Sequence, residues 1–397
     1  MAAEREFDVV VYGATGFTGR LVAEYLVTRS AGEDAPRWAM AGRSRAKLEE
    51  VRSSINAASD LPLIVADAAD SAALRAMAER CRVVISTVGP YQLYGSPLIE
   101  ACVATGTGYV DLCGEPAWMR DMIDAHEAAA RASGARIVFS CGFDSIPFDL
   151  GVQQLQKRCV EAWGNPANRI KGRVRAMRGT FSGGTAASMK ATLAAAVKRP
   201  ALLKLLADPF ALTPGFSGPS QPNTLLPYWD ATVGAWVAPF IMAPINTKNV
   251  HRTNFLRGHP YGTDFLYDEM IVAGLGDIGK AAAEMIAKFN PLSSDKGPKP
   301  GEGPSRKERE SGFYDVLFVA ESEGKETLRL AVKGDRDPGY GSTSKMISEA
   351  ALCLAREAPE QGGFWTPGAL MGDSLVKRLT DHAGLTFAPE SASAKAG

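Results

Sequence analysis

The 397-residue chain is short of several features that would fix its class at once. Its six cysteines, Cys81, Cys102, Cys113, Cys141, Cys159 and Cys353, include no C-x-x-C pair. That scatter argues against a disulfide framework and for reduced, buried thiols in a cytosolic setting. There are four histidines and no H-E-x-x-H, so no metal site is expected. No apolar run reaches the roughly 20 residues of a membrane-spanning helix. The N-terminus lacks the basic-then-apolar pattern of a secretory leader. Lys and Arg number 44, and Asp and Glu also number 44, so the positive excess of a general nucleic-acid binder is missing. With 46% hydrophobic and 22% charged residues the composition is that of an ordinary globular protein, long enough for two domains.

The first 150 residues alternate short apolar runs with helical patterns. Strands are predicted at Phe7–Tyr12, Trp38–Ala41, Leu63–Ala66, Val83–Val88 and Ile137–Ser140. Helices are predicted at Gly16–Thr28, around Leu48 and Val51, and at Ser71–Arg80. This is the signature of βαβ units and a parallel sheet covered on both faces. The pattern changes near Leu150. Lys171–Arg178, Phe265–Val272, Tyr314–Glu321 and Thr327–Val332 read as strands, the last two joined at Gly324, which predicts a mixed or antiparallel sheet in an α+β second domain. Leu292–Gly312, rich in Pro, Gly, Ser and charge, reads as an exposed loop. Helices are predicted over 341–356 and 370–380, and the tail from Pro389 is expected to fray. The expected fold is thus α/β, with a Rossmann-like domain over 1–150, an α+β substrate or dimerisation domain over 151–340, and C-terminal helices over 341–390.

The motif that carries chemistry is Gly13-Ala14-Thr15-Gly16-Phe17-Thr18-Gly19, after a strand and at the start of a helix. In that context Gly13 permits the tight turn, Gly16 lets a pyrophosphate approach, and Gly19 lets the helix pack on the strand. The helix N-terminus then offers free N–H groups to the anion. The alternative is a turn that needs glycine for its conformation alone. At the end of the second strand a carboxylate would accept from the ribose hydroxyls of NAD. This chain has Arg43-Ser44 there, a guanidinium and hydroxyl suited to a 2′-phosphate, so NADP(H) is the expected cofactor unless Arg43 is merely a solvated loop charge. Asp67 ends the third strand, either facing the adenine or capping the next helix. Thr87-Val88-Gly89-Pro90-Tyr91 follows the fourth strand and is expected beside the second ribose and nicotinamide. Tyr91 and Tyr94 either face the reaction zone or pack beneath the loop.

None of the tyrosines has a lysine four residues on; Tyr340 and Lys345 are five apart. The Tyr-x-x-x-Lys proton transfer of short-chain dehydrogenases is therefore not expected. Further motifs follow in order: Tyr109–Glu115 (YVDLCGE), Ser140–Gly151 (SCGFDSIPFDLG), Phe181–Thr185 (FSGGT), Asp337–Gly341 (DPGYG) and Gly362–Asp373 (GGFWTPGALMGD). Together with the glycine turn they resemble the saccharopine dehydrogenase-like oxidoreductases, and within them the bacterial trans-acting enoyl reductases of lipid and polyketide assembly.

The resemblance implies an NADP-binding Rossmann domain, a second α+β domain, C-terminal helices packed against the first, and a homodimer through the second sheet. Under it, the expected reaction is NADPH-dependent reduction of a double bond in a lipid or polyketide intermediate, carrier-bound or free. Proton-donor candidates are Tyr91, Tyr94 and Asp144, the last equally suited to helix capping. Ser182–Thr185 is a candidate anion site. Arg173 and Arg175 share one strand face and Arg178 the other; they either bind a carboxylate or phosphate or form a wet sheet face. Ala231–Pro244, near Trp236, lines a lipid pocket or is buried core. Met189–Phe210, with Lys190, Lys198, Arg199 and Lys204, is a membrane- or carrier-facing helix or an ordinary surface one. The competing functions are a dehydrogenase acting on an amino-acid imine, and an NADP(H)-binding protein held at a lipid surface without turnover.

Overall fold

The computed structural model describes residues 5–32, 35–179, 188, 191–192, 201–288 and 302–391. In chain order the strands are β1 (Phe7–Tyr12), β2 (Trp38–Gly42), β3 (Leu63–Val65), β4 (Cys81–Ser86), β5 (Gly108–Asp111) and β6 (Arg136–Val138). Then come β7 (Arg169–Arg178), β8 (Tyr228–Asp230), β9 (Ala235–Pro239), β10 (Leu266–Gly274), β11 (Phe313–Glu321), β12 (Leu328–Gly334), β13 (Gly363–Trp365) and β14 (Leu385–Glu390).

The first sheet runs β13-β6-β5-β4-β1-β2-β3. Every pairing in it is parallel. Its interior strand β1, FDVVVY, is buried at every position, as a parallel strand covered on both faces must be. The order reverses beside β1, so the carboxyl ends of β1 and β4 open a crevice where a ligand can enter. The second sheet, β14-β12-β11-β7-β10-β9-β8, is mixed: β7 and β10 are parallel and the remaining neighbours antiparallel. The protein is therefore α/β, a Rossmann-like parallel sheet with a second, mixed sheet.

Helix Ile146–Trp163 leads from the first sheet to the second and packs on β11 and β12. Helix Thr343–Arg356 packs on helix Phe17–Arg29 and on β1, β4 and β5. Their contact is fixed by the fully buried Glu349. It accepts from the Tyr25 hydroxyl (2.7 Å) and pairs with Arg29 (3.0 Å) and Arg378 (2.7 Å). The C-terminal segment then enters both sheets, as β13 beside β6 and β14 beside β12.

Three local expectations change. Of the tail from Pro389, residues 392–397 lie outside the described residues, while Pro389 and Glu390 belong to β14, where Pro389 faces Leu330 of β12. Proline tolerates this edge position because the ladder there asks it for no N–H. Of the expected loop Leu292–Gly312, residues 292–301 lie outside the described residues, and Arg306–Ser311 is a helix. Its capping box, Ser305 with Glu308, satisfies the first amides on both sides and overrides the loop-like composition. Of the alternating arginines of β7, Arg178 is exposed over the Phe313 ring, whereas Arg173 and Arg175 form neither a wet surface nor a free anion site. Arg173 is fully buried between Asp230 (2.7 Å) and Asp268 (2.9 Å), and Arg175 holds Asp315 and Glu390, both at 2.7 Å. All six cysteines are buried and unpaired. Among the described residues no helix is long and apolar enough to cross a membrane.

Candidate active site

The glycine turn works by steric economy. Gly13 sits at φ +90°, and a side chain there would meet Thr87 and Val88 within 2.8 Å. A Cβ on Gly19 would lie 2.1 Å from the Gly13 carbonyl. The helix can therefore approach the strand only without that carbon. The Thr87 hydroxyl donates to the Tyr12 carbonyl (3.1 Å), tying the end of β4 to the turn. Helix Phe17–Arg29 starts at Gly16 with no side-chain cap and no acidic residue in its first turn. Its leading N–H groups are thus left for a bound anion.

These groups open onto one cavity of about 1490 Å³. Single drug-sized ligands occupy roughly 300–1,000 Å³, so this space has room for a dinucleotide and a second molecule. At one end stand Tyr12, Gly42, Arg43 and Asp67. Arg43 is exposed and has no hydrogen-bond or ion-pair partner among the described residues. Burial raises the Tyr12 hydroxyl to about 12, with Asp67 raising and Arg43 lowering it, which places all three side chains within electrostatic reach. Asp67 accepts from the Ala69 amide (2.9 Å), while the next helix is capped by Asp70. Of the two readings of Asp67, helix capping is thereby removed.

Gly13, Thr15, Gly16, Phe17, Thr18, Thr87, Val88, Gly89, Pro90, Tyr91, Tyr94 and Asp144 also line the cavity. Ala14, Gly19 and Ser44 do not. Ala14 is fully buried, Gly19 supports the turn from behind, and the Ser44 hydroxyl accepts from the Lys47 amide (3.4 Å) as the cap of helix Arg45–Ser54. Phe17 is held edge-on by Tyr340, with ring centres 5.1 Å apart, and Arg309 lies 5.7 Å from its ring. The segments around 303–309 and 338–342 thus close over the turn from the far half of the chain.

The donor set fits NADP(H) on its geometry alone. An uncapped helix N-terminus would receive the pyrophosphate, the glycine turn would let the cofactor approach the backbone, and the unpaired Arg43 guanidinium would receive the 2′-phosphate.

Tyr91 is not available as a proton donor. Its hydroxyl donates to the Ser86 carbonyl (3.2 Å) and accepts from the Leu112 amide (3.1 Å), and its ring stacks on Trp118. Burial, reinforced by Asp111, pushes this phenol well above its ordinary value. Tyr94 faces the cavity, 47% exposed. Asp144 lies in the cavity wall, half-buried, in the turn before helix Ile146–Trp163. It does not cap that helix, which has no side-chain cap. Burial alone raises its carboxyl to about 6.

Sequence reasoning missed two acids beneath this wall. Asp111 accepts from the Tyr109 hydroxyl (2.9 Å) and the Cys113 and Ser140 amides (3.0 and 2.9 Å), and burial raises it to about 7. Glu115 accepts from the Tyr91 and Gln92 amides (both 2.9 Å) and from the Ser188 hydroxyl (2.9 Å). Both lie in the Tyr109–Glu115 motif, whose mix of buried-strand residues with two carboxylates was the available signal. The remaining wall is apolar and includes Leu203, Leu206, Phe240, Ile241, Met242 and Ile245. Trp236 is not part of it; it packs against Trp229 and under Lys280. Ser182–Thr185 and the basic residues Lys190, Lys198 and Arg199 lie outside the described residues.

Residues 9–138 match the family "Saccharopine dehydrogenase NADP binding domain". A Mycobacterium tuberculosis protein provisionally named a trans-acting enoyl reductase is 41% identical over 408 aligned positions, covering 95% of this chain and 96% of its own. The trans-acting enoyl reductase of Mycobacterium bovis is 38% identical with the same coverage. The chain belongs to the saccharopine dehydrogenase-like oxidoreductases. Its cofactor is NADP(H), and it is an NADP-dependent oxidoreductase. Saccharopine dehydrogenase (L-Glu forming) from Saccharomyces cerevisiae shares the fold at a TM-score of 0.53 and 12% identity, over 96% of this chain and 99% of that one.

Proposed function

We propose that this oxidoreductase is a trans-acting enoyl reductase that uses NADPH to reduce the α,β double bond of an acyl thioester in lipid or polyketide assembly. The observation that carries the reading is the charge pattern of the cavity. Arg43 is the only cation among its described lining residues, and it stands at the adenosine end. Beyond the nicotinamide loop the wall is apolar, as an acyl chain requires. A substrate with several carboxylates would need guanidinium or ammonium groups converging there. Of the three arginines of β7 that could have served, Arg173 and Arg175 are already paired with aspartate or glutamate, and Arg178 lies against the Phe313 ring and is not among the lining residues. This disfavours the amino-acid imine as substrate. The mycobacterial relatives carry the enoyl reductase name along nearly their full length.

When bound, NADPH supplies the hydride that the β-carbon receives. The chain's own residues hold the pyrophosphate at Gly16–Thr18 and the 2′-phosphate at Arg43. The Thr87–Pro90 loop, which lines the cavity, would flank the nicotinamide. The apolar wall from Phe240 to Ile245 aligns the acyl chain and excludes water, which strengthens the electrostatic interactions at the reacting carbons.

The test is NADPH oxidation against a series of enoyl thioesters of increasing chain length, beside a keto acid mixed with lysine or glutamate. Chain-length-dependent oxidation with the thioesters alone is the expected result. Turnover only with the keto acid and amine would replace this reading by imine reduction. Tight NADPH binding without turnover of either, together with liposome flotation, would replace it by a binding role at a lipid surface.

A further inference from the structure

Reduction of an enoyl thioester leaves negative charge spread over the α-carbon and thioester oxygen, and a proton must then reach the α-carbon. Resting on the proposed function, we infer that Asp144 is the catalytic acid that delivers this proton. Three carboxyl groups line the cavity. Asp67 lies at the adenosine end, and Glu302 belongs to the strap over Phe17. Asp144 alone stands with the Ser140–Asp144 loop that follows β6, in the half walled by Phe143, Thr343 and Leu112.

Its backbone is pinned from three sides. The Cys141 amide donates to the Asp111 carbonyl (2.7 Å), the Phe143 amide to the Thr343 hydroxyl (3.0 Å), and the Ile146 amide to the Gly142 carbonyl (2.9 Å). Behind it, the Asn249 side-chain amide donates to the Ser145 hydroxyl (2.5 Å). The loop is fixed while the carboxyl is left alone. Among the described residues no hydrogen-bond donor and no cation engages it. Each buried acid nearby is engaged: Asp111 and Glu115 as described above, and Asp149 by the Gly368 amide (2.7 Å). An acid spared in this way is free to donate.

What favours its neutral form is burial. Of the titratable groups nearby, Asp111 ends β5, Cys113 and Glu115 follow it, and Asp149 lies on the helix that Asp144 precedes. Thr343 and Asn249, from the two helices packed against the loop, are neutral. That burial raises the carboxyl to about 6 in the open cavity. A bound acyl chain that displaces water raises that value further.

The step balances. Hydride adds to the β-carbon, and the π pair moves toward the α-carbon and carbonyl oxygen. The Asp144 O–H bond breaks as the α C–H bond forms, leaving a carboxylate. Solvent re-protonates it when the cavity opens, so each turnover consumes one NADPH and one proton.

The experiment compares wild type, Asp144→Asn and Asp144→Glu, with turnover followed against pH and the product analysed after reaction in D2O. The expected kcat loss for Asp144→Asn is roughly 10²–10⁴-fold, with the NADPH dissociation constant and Tm unchanged. The wild-type kcat/KM should fall on the alkaline side of about pH 6 and kcat at a higher pH, and both limbs should vanish in Asp144→Asn and return in Asp144→Glu. Deuterium should enter one face of the α-carbon in wild type and both faces in Asp144→Asn, while the β-hydride stays stereospecific. Wild-type turnover with an Asp144→Asn variant that keeps its rate, pH limb and facial selectivity would overturn the Asp144 assignment alone. No wild-type turnover of any enoyl thioester would overturn the proposed function and this assignment together.

Discussion

Arg43 at the end of β2 and Arg173 in the middle of β7 are the same side chain in opposite surroundings. Both are candidate anion contacts in the sequence. Arg43 is exposed at the mouth of a crevice with no partner among the described residues. Arg173 is fully buried and already shared between Asp230 and Asp268, with the Tyr228 hydroxyl accepting at 2.9 Å. A guanidinium that has spent its donors on the fold cannot recognise a ligand, whereas an unspent one beside a helix N-terminus can. The first sheet leaves its charges at an edge for the cofactor; the second uses them to tie its strands together.

The contrast predicts separable losses. The largest belongs to Arg173→Met. It strands two buried carboxylates, of which Asp230 retains Lys171 and Asp268 retains Arg169. The expected cost is about 3 kcal/mol of stability, the lower end for a broken buried pair because those partners remain. Denaturant unfolding measures it, and the NADPH-over-NADH preference should be untouched. Next is Arg43→Ala, which should lose roughly 1.5–3 kcal/mol of that preference with Tm unchanged. The wild-type preference should also shrink with added salt, as an exposed charge pair does. A stability loss without a selectivity loss at Arg43 would erase the distinction between the two arginines.

A smaller effect concerns Glu269, the neighbour of Asp268 on the opposite face of β10. Burial raises its carboxyl to about 8, against accepted bonds from Asn246 and Tyr267 that favour the charge. A raised acid binds more protons folded than unfolded. Its contribution is therefore complete below the ordinary value of 4.5 and lost as pH rises through about 8. The slope in that window is at most about 1.4 kcal/mol per pH unit, and Glu269→Gln should flatten it in unfolding curves between pH 5 and 8. The smallest effect is Ser44→Ala, expected to cost about 0.5–1 kcal/mol through the lost helix cap. Cofactor selectivity should change far less than with Arg43→Ala; an equal change would make Ser44 a phosphate ligand.

The nucleotide half was legible because its constraints are local. Gly13 and Gly19 are glycine for reasons set by residues of the same turn and the adjoining strand, and Arg43 follows β2 directly. The substrate half was less so. Strand β5 was not foreseen, since its four residues merge with a motif rich in turn-formers. Strand β13, only Gly-Phe-Trp, acquires its role from β6, far away in sequence, and carries no periodicity of its own. Helix Ala243–Leu256 buries Asn246, Lys248, Asn249, His251 and Arg252, a composition that reads as surface until partners from other elements arrive. Arg252, for example, donates to the Phe364 carbonyl (2.7 Å). Tyr91 shows the same limit: its hydroxyl is spent on the Ser86 carbonyl and the Leu112 amide, contacts that only the fold reveals.

Strand β13 has a consequence for how the molecule is made. It completes the first sheet beside β6, and the helix before it covers β1, β4 and β5. A ribosome that has released only the first 150 residues has therefore produced a nucleotide domain with an open edge and an uncovered apolar face. That domain cannot reach its final stability until residue 365 has emerged. During the intervening synthesis, on the order of ten to forty seconds at 5–20 residues per second, the nascent chain is exposed to edge-to-edge association. A chaperone or early NADPH binding would have the most to protect in that interval.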